Sequence, residues 1–146
     1  MNIRKMTIDD YQQVYDLWMA CDGVGLNDID DSRQGIERFL KRNPETCFVT
    51  EEDGKVVGVI MAGHDGRRGF IYHAAVDPAY RRQKIGHNLV NRALEAIRNE
   101  GIAKVALVVF NDNDVANKFW EKQGFDMRDD LVYRNKALTE LKRIDT

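Results

Sequence analysis

Apolar positions along the chain follow two alternating rhythms, one at helical spacing and one at strand spacing. Residues 3–6 read as a short strand. Thr7 then stands as an N-cap with Asp10 three residues on as its capping-box partner. The helix that follows places Tyr11, Val14, Leu17, Trp18 and Cys21 on one stripe. Residues 23–31 form a loop, with four acids in or beside it: Asp22, Asp28, Asp30 and Asp31. A short helix over 32–42 turns Ile36, Phe39 and Leu40 one way. Asn43-Pro44 ends it, because a residue before proline is pushed out of the helical region.

Strands over 47–52 and 56–63 flank Asp53-Gly54, a dipeptide suited to a tight hairpin turn. A third strand over 70–76 completes an antiparallel meander, closed by Asp77-Pro78 because proline cannot donate to a ladder. A helix over 85–100 carries Ile85, Leu89, Val90, Ala93, Leu94 and Ile97 on one face, with Gly101 just past its end. The β-branched run 104–110 predicts a strand buried on both faces. Asn113 or Asp112 caps a further helix that reaches about Gln123 and stops at Gly124. Residues 125–138 then predict a returning strand, bent at Asp129-Asp130. The fold class expected is α/β (α+β), one domain over 1–146 with a mixed central sheet of six to seven strands and helices on both faces.

Composition narrows the function. The chain has 146 residues, 43% of them hydrophobic and 32% charged, a balance that can bury a core without disulfides or metals. Nothing approaches 18 consecutive apolar residues and no signal segment opens the chain, so the expectation is a cytoplasmic protein with no membrane partner. The net charge of −2 and a pI near 5.9 argue against a nucleic-acid partner. Cys21 and Cys47 form no paired motif and read as buried free thiols. His64, His73 and His87 have no ligand spacing, so no metal site is expected.

Candidate chemistry concentrates in Val76-Asp77-Pro78-Ala79-Tyr80-Arg81-Arg82-Gln83-Lys84-Ile85-Gly86-His87. A strand ends there, a basic loop follows, and an amphipathic helix begins. The first N–H groups of a helix lack internal partners, and its dipole adds partial positive charge. Gly86 admits a phosphate close to the backbone, while Arg81, Arg82 and Lys84 add formal charge. This is a diphosphate cradle in outline, or a solvated basic helix start.

A second segment, Asn113-x-x-Ala116-x-x-Phe119-Trp120-x-x-x-Gly124-Phe125, follows the next strand. Together these stretches resemble the GNAT acetyltransferase superfamily over nearly the whole chain. That family's cradle pattern, [QR]-x-x-G-x-[GA], falls on residues 81–86. Its downstream pattern, N-x-x-A-x-x-[FL]-Y-x-x-x-G-F, falls on residues 113–125 and departs only where Trp120 replaces Tyr. The element order matches as well.

The resemblance implies that strands 70–76 and 104–110 splay apart, leaving a slot for the pantetheine arm of acetyl-CoA. The arm would bond to the backbone at Ala74, Ala75 and Val76. The diphosphate would rest on the amides from Arg82 to His87, with Arg81 beside it. Asn113 would meet the pantetheine from the far side, near Ala116, Phe119 and Trp120. An amine would attack the thioester directly. The acceptor would be a small molecule or a peptide N-terminus. Homodimers are frequent in that family, though no feature here demands one.

Three departures matter. Lys84 replaces the cradle's middle glycine, and an ordinary helical conformation is expected there. Trp120 replaces the usual acid, and indole donates no proton near neutrality. Val108 and Phe70 stand where a catalytic Glu often occurs. A thiol pKa near about 8.5 lets the leaving group depart without a strong acid. Deprotonating a lysine-type amine at neutral pH costs about 4.6 kcal/mol, against about 1.1 for an α-amine, which favours a weakly basic acceptor or proton loss through water.

Period-2 alternation puts Tyr72 on one face with Ala74 and Val76, as a candidate proton donor, with His73 on the opposite face. Tyr133 is a second candidate donor. The acids of the 22–31 loop read as solvated turn formers, or as attraction for a cationic acceptor. The competing reading is an acyl-CoA-binding sensor without turnover. A longer acyl donor is a further variant.

Overall fold

The computed structural model describes residues 1–144. Its central sheet has five strands in the order β1-β3-β4-β5-β6. These are β1 (Asn2–Lys5), β3 (Phe48–Glu52), β4 (Lys55–His64), β5 (Gly69–Val76) and β6 (Val105–Ala106). The first four pair antiparallel, and β6 joins β5 in parallel. A separate two-stranded ribbon joins β2 (Leu26–Asn27) to β7 (Arg143–Ile144).

Helices cover both faces. α1 (Tyr11–Met19) and α2 (Arg33–Arg42) bury Val14, Leu17, Trp18, Ile36 and Leu40 against Val49, Val59 and Met61. α3 (Ile85–Asn99) buries Ile85, Leu89, Val90, Ala93 and Ile97 against Phe48, Val57 and Ile60 on the other face. Strand alternation in β3 and β4 divides these two cores. α4 (Asp114–Lys122) lies alongside, its Phe119 and Trp120 reaching the α3 core.

Local chemistry explains the helix boundaries. Ser32 caps α2, its Oγ accepting from the Gly35 N–H at 3.0 Å. Gly101 takes the left-handed position after α3, at φ +85°. Before α1, a 3₁₀ turn (Ile8–Asp10) brings the Asp10 carboxylate to the Thr7 N–H at 2.9 Å. Asp10 also holds Arg4 at 2.8 Å, and Arg4 reaches Glu51, so one guanidinium joins β1, β3 and the start of α1.

Two expected strands are corrected. Of residues 104–110, only Val105 and Ala106 pair with β5, and none of Val105 to Phe110 is buried. The parallel ladder stops at Phe70↔Ala106, and the run leaves the sheet with one side uncovered. Residues 125–138 form no strand, and Leu131, Val132 and Leu138 are exposed. A two-residue β6 offers too short an edge to pair with, and Arg128 closes a local ion pair on Asp130 at 2.8 Å instead.

Candidate active site

The early end of the β5–β6 ladder creates the site. From Ile71 to Val76, β5 has no neighbour on its β6 side, so a backbone edge lies open. The cleft beside it has a volume of about 2330 Å³. Its walls include every residue the sequence proposed for acetyl-CoA except Gln83, which is exposed. Tyr72 and Tyr133 line it too.

At one end lies the cradle. Asp77 ends β5 and caps a 3₁₀ turn (Pro78–Tyr80), its Oδ1 accepting from the Ala79 N–H at 2.9 Å. The chain then loops through residues 81–84 into α3. The first α3 hydrogen bond runs from Asn88 N–H to the Lys84 carbonyl at 3.0 Å. The backbone N–H groups of residues 81–87 find no acceptor among the described residues. Seven donors at a helix N-terminus, with Arg81, Arg82 and Lys84 around them, suit a diphosphate.

The conformation of that loop corrects one expectation. Lys84 is left-handed, at φ +62°, rather than helical, and Arg82 is left-handed at φ +68°. The turn keeps the geometry a glycine would supply, because it must swing the chain from β5 into α3 within a few residues. Gly86 is needed for packing: a Cβ there would meet Cζ of Phe119 at 3.1 Å. That close approach seats α4 against the start of α3, where His87 Nδ1 and Gln123 Oε1 also meet at 2.9 Å.

On the α4 side, Asn113 caps the helix, its Oδ1 accepting from the Ala116 N–H at 3.1 Å. Its Nδ2 lies against Gly23, and Phe110 lies against Gly25, where a Cβ would sit at 2.8 and 3.1 Å respectively. The loop after α1 therefore meets the start of α4 across the mouth of the cleft. Trp120 stacks edge-on to Phe119 at 5.0 Å and to Phe125 at 5.2 Å, a packing role for the ring.

At the other end, a β-bulge overturns the expected facing. Tyr72 pairs with Met61 and Ala75 with Val59, so His73 and Ala74 together oppose the single Ile60. His73 sits at φ +49°. Alternation breaks there. Tyr72 shares its face with Ala75, in the α1/α2 core, while Ala74 and Val76 join the α3 core. Tyr72 packs edge-on to Phe39 at 5.6 Å and is 42% exposed. Burial pushes its hydroxyl pKa up, and Tyr133 and Asp30 add to the effect, so the hydroxyl stays protonated at neutral pH.

His73 also turns toward α1 rather than away from it. Its carbonyl accepts from the Trp18 indole N–H at 2.9 Å, and its Nε2 lies 2.7 Å from Asp31 Oδ1. The sequence suggests either a solvated loop acid or attraction for a cationic acceptor at Asp31, yet it is 3% exposed and also accepts from the Asn27 N–H at 2.8 Å. The pair joins residues 42 positions apart, which no spacing rule links. Asp30 and Asp22 remain exposed and line the cleft.

Both cysteines are buried and free. Burial raises the thiol pKa of each, that of Cys47 to about 12. Among the described residues no three His, Cys, Asp or Glu side chains group as a metal site, and no helix is long and apolar enough to cross a membrane.

Comparison with known proteins adds an independent line. Residues 11–125 match the model of a family described as the acetyltransferase (GNAT) family. An acetyltransferase of Sodalis glossinidius is 37% identical over 140 residues, covering 96% of this chain and 97% of that protein. Among solved structures, Ard1 from Thermoplasma volcanium superposes with a TM-score of 0.74 at 26% identity, over 87% of this chain and 83% of its own. The PaiA N-acetyltransferase of Thermoplasma acidophilum, in complex with coenzyme A, superposes with a TM-score of 0.73 at 17% identity, over 99% of this chain and 98% of its own.

Proposed function

The chain belongs to the GNAT acetyltransferase family, and on that premise we propose that it transfers an acetyl group from acetyl-CoA to a primary amine by direct attack through a tetrahedral intermediate. The acceptor is a small molecule or a peptide N-terminus. The observation that carries this reading is the run of unpartnered N–H groups at residues 81–87 beside an unpaired β5 edge. A diphosphate with an extended amide-bearing arm matches that donor pattern end to end.

Acetyl-CoA brings an activated acyl carbon on a leaving group whose thiol pKa is ordinarily near about 8.5. The chain's task is then mainly to orient and to manage protons. Residues 81–87, with Arg81, Arg82 and Lys84, hold the diphosphate. The open edge at Ala74, Ala75 and Val76 bonds the arm, and an N–H of β5 stabilises the developing oxyanion. Asn113, Ala116, Phe119 and Trp120 form the facing wall. Tyr72, kept protonated, is the candidate donor to the departing sulfur, with Tyr133 as a second. Asp22 and Asp30 favour a cationic acceptor over an acidic one.

Trp120 at the usual acid position, with Val108 and Phe70 in place of a carboxylate, supports a second reading as an acyl-CoA sensor without turnover. One experiment separates the two. Acetyl-CoA at 100 times its dissociation constant stabilises by about 2.7 kcal/mol, which raises Tm by about 5–10 °C. That shift without one from ATP, followed by thiol release with an amine, is expected of the enzyme. A shift without thiol release from any amine supports the sensor. No shift at millimolar acetyl-CoA overturns both.

A further inference from the structure

Resting on the acetyltransferase reading, we propose that His73 is the catalytic base that takes a proton from the attacking ammonium, and that Asp31 is the positioning residue that holds its tautomer. No carboxylate occupies Phe70 or Val108, yet an attacking amine must arrive neutral. His73 places an imidazole on the cleft wall within β5 itself, beside the open edge, whereas His87 lies at the α3 end.

Its setting is built from separate elements. The bulge turns His73 toward α1, the Trp18 indole N–H fixes its carbonyl, and the Trp18 ring meets the imidazole edge-on at 5.1 Å. The loop ahead of α2 supplies Asp31 at 2.7 Å from Nε2. A non-glycine residue held left-handed at φ +49° is strained, and these contacts hold it there. An ionised carboxylate only accepts, so Nε2 carries the ring hydrogen and Nδ1 keeps its lone pair. Nδ1 makes no hydrogen bond among the described residues, and the His73 side chain is 15% exposed. The titratable and charged groups of the neighbouring elements that line the cleft include Tyr72 of β5, Asp30 and Asp31 of the loop, Arg38 and Arg42 of α2, and Tyr133 and Lys136, while the Tyr11 hydroxyl of α1 donates to the Asp31 carbonyl at 2.7 Å.

The protons balance as follows. An ammonium gives one proton to Nδ1, leaving an imidazolium and a neutral amine. The amine lone pair forms the C–N bond as the carbonyl π pair moves to oxygen. That pair returns as the C–S bond breaks, and sulfur leaves with its electrons and takes a proton from the Tyr72 hydroxyl, which recovers the second proton shed by nitrogen. The products are an amide and a thiol, and His73 releases its proton to solvent.

Two measurements test this. In the free protein labelled with ¹⁵N-histidine, NMR at about pH 8 reads the neutral tautomer, with His73→Asn assigning the signal. The Nε2–H form is expected in the wild type, with a mixture in Asp31→Asn. A wild-type Nδ1–H form overturns the proposal, because no lone pair is then available.

The second is thiol release across pH 6–10 with alanine amide and with n-butylamine, a much stronger base. Asparagine tolerates a left-handed backbone, so His73→Asn should fold and keep its acetyl-CoA thermal shift. Its kcat/KM for n-butylamine is expected to fall about 10²-fold near neutrality and far less for alanine amide, its profile now tracking each amine's own ionisation. Equal losses for both amines with an unchanged profile mean a structural role and overturn the proposal. A wild type that binds acetyl-CoA yet releases no thiol with these or other amines overturns the enzyme reading instead, and this inference with it.

Discussion

At the scale of single residues, Lys84 shows how a departure from a glycine pattern is absorbed. It occupies the left-handed region itself, at φ +62°. That conformation costs about 1–2 kcal/mol for a non-glycine residue, while glycine carries more chain entropy to lose on folding. Lys84→Gly is therefore expected to change stability by less than about 1 kcal/mol and to retain the acetyl-CoA thermal shift. Lys84→Val, β-branched in the same position, should destabilise by about 1–2 kcal/mol and weaken that shift. Tyr72 offers a second test. Because its hydroxyl pKa is raised, it keeps its proton through neutral pH. Tyr72→Phe should lower kcat about tenfold with the KM for acetyl-CoA unchanged, a modest loss because a thiolate leaves readily. An unchanged kcat would assign Tyr72 to packing against Phe39.

At the scale of elements, the site depends on how β4 and β5 present α3. Gly58 of β4 lies under the first turn of α3, where a Cβ would meet Ile85 Cγ2 at 2.8 Å and Leu89 Cδ1 at 3.1 Å. Gly58→Ala pushes on the residue that begins the helix. It is expected to destabilise by about 1–3 kcal/mol, read as a lower denaturant midpoint at unchanged m. Acetyl-CoA affinity should fall as well, because the 81–87 amides are fixed by where α3 starts. The bulge acts in the middle of β5, bringing Tyr72 and His73 to the α1/α2 side together. One strand thus borders the 81–87 loop with its C-terminal end and the proposed acceptor region with its middle.

For the whole molecule, Arg4 and Asp10 tie the sheet edge to the start of α1. Burial works against ionisation of Asp10. The hydrogen bonds from Arg4 and the Thr7 N–H, with the Arg4 charge, outweigh it and hold its pKa below the ordinary carboxylate value. A depressed folded pKa contributes stability above the unfolded value of about 3.9, and that contribution is lost as pH falls through the folded pKa. Stability should therefore decline below about pH 4. Asp10→Asn should cost about 1–3 kcal/mol at neutral pH and flatten the acid limb of Tm against pH. An acid limb as steep in the variant as in the wild type would move its origin to other carboxylates.

Local signals carried much of this fold because they act within a few residues. Helical stripes such as Ile85, Leu89, Val90 and Ala93, the Asp53-Gly54 turn and the loop-to-α3 junction were all legible in the chain. So was the family, from the two spaced patterns at residues 81–86 and 113–125. Pairing was another matter. A β-branched run at 104–110 looks buried by composition, yet burial requires a partner, and β5 offers β6 only two positions. Residues 125–138, expected as a returning strand, find no edge. Alternation along β5 placed His73 away from Tyr72, whereas one extra residue opposite Ile60 brought both to one side. The His73–Asp31 contact forms across 42 residues through that bulge. Spacing rules describe neighbours along the chain, while register and long-range contact are set only when the whole sheet is packed.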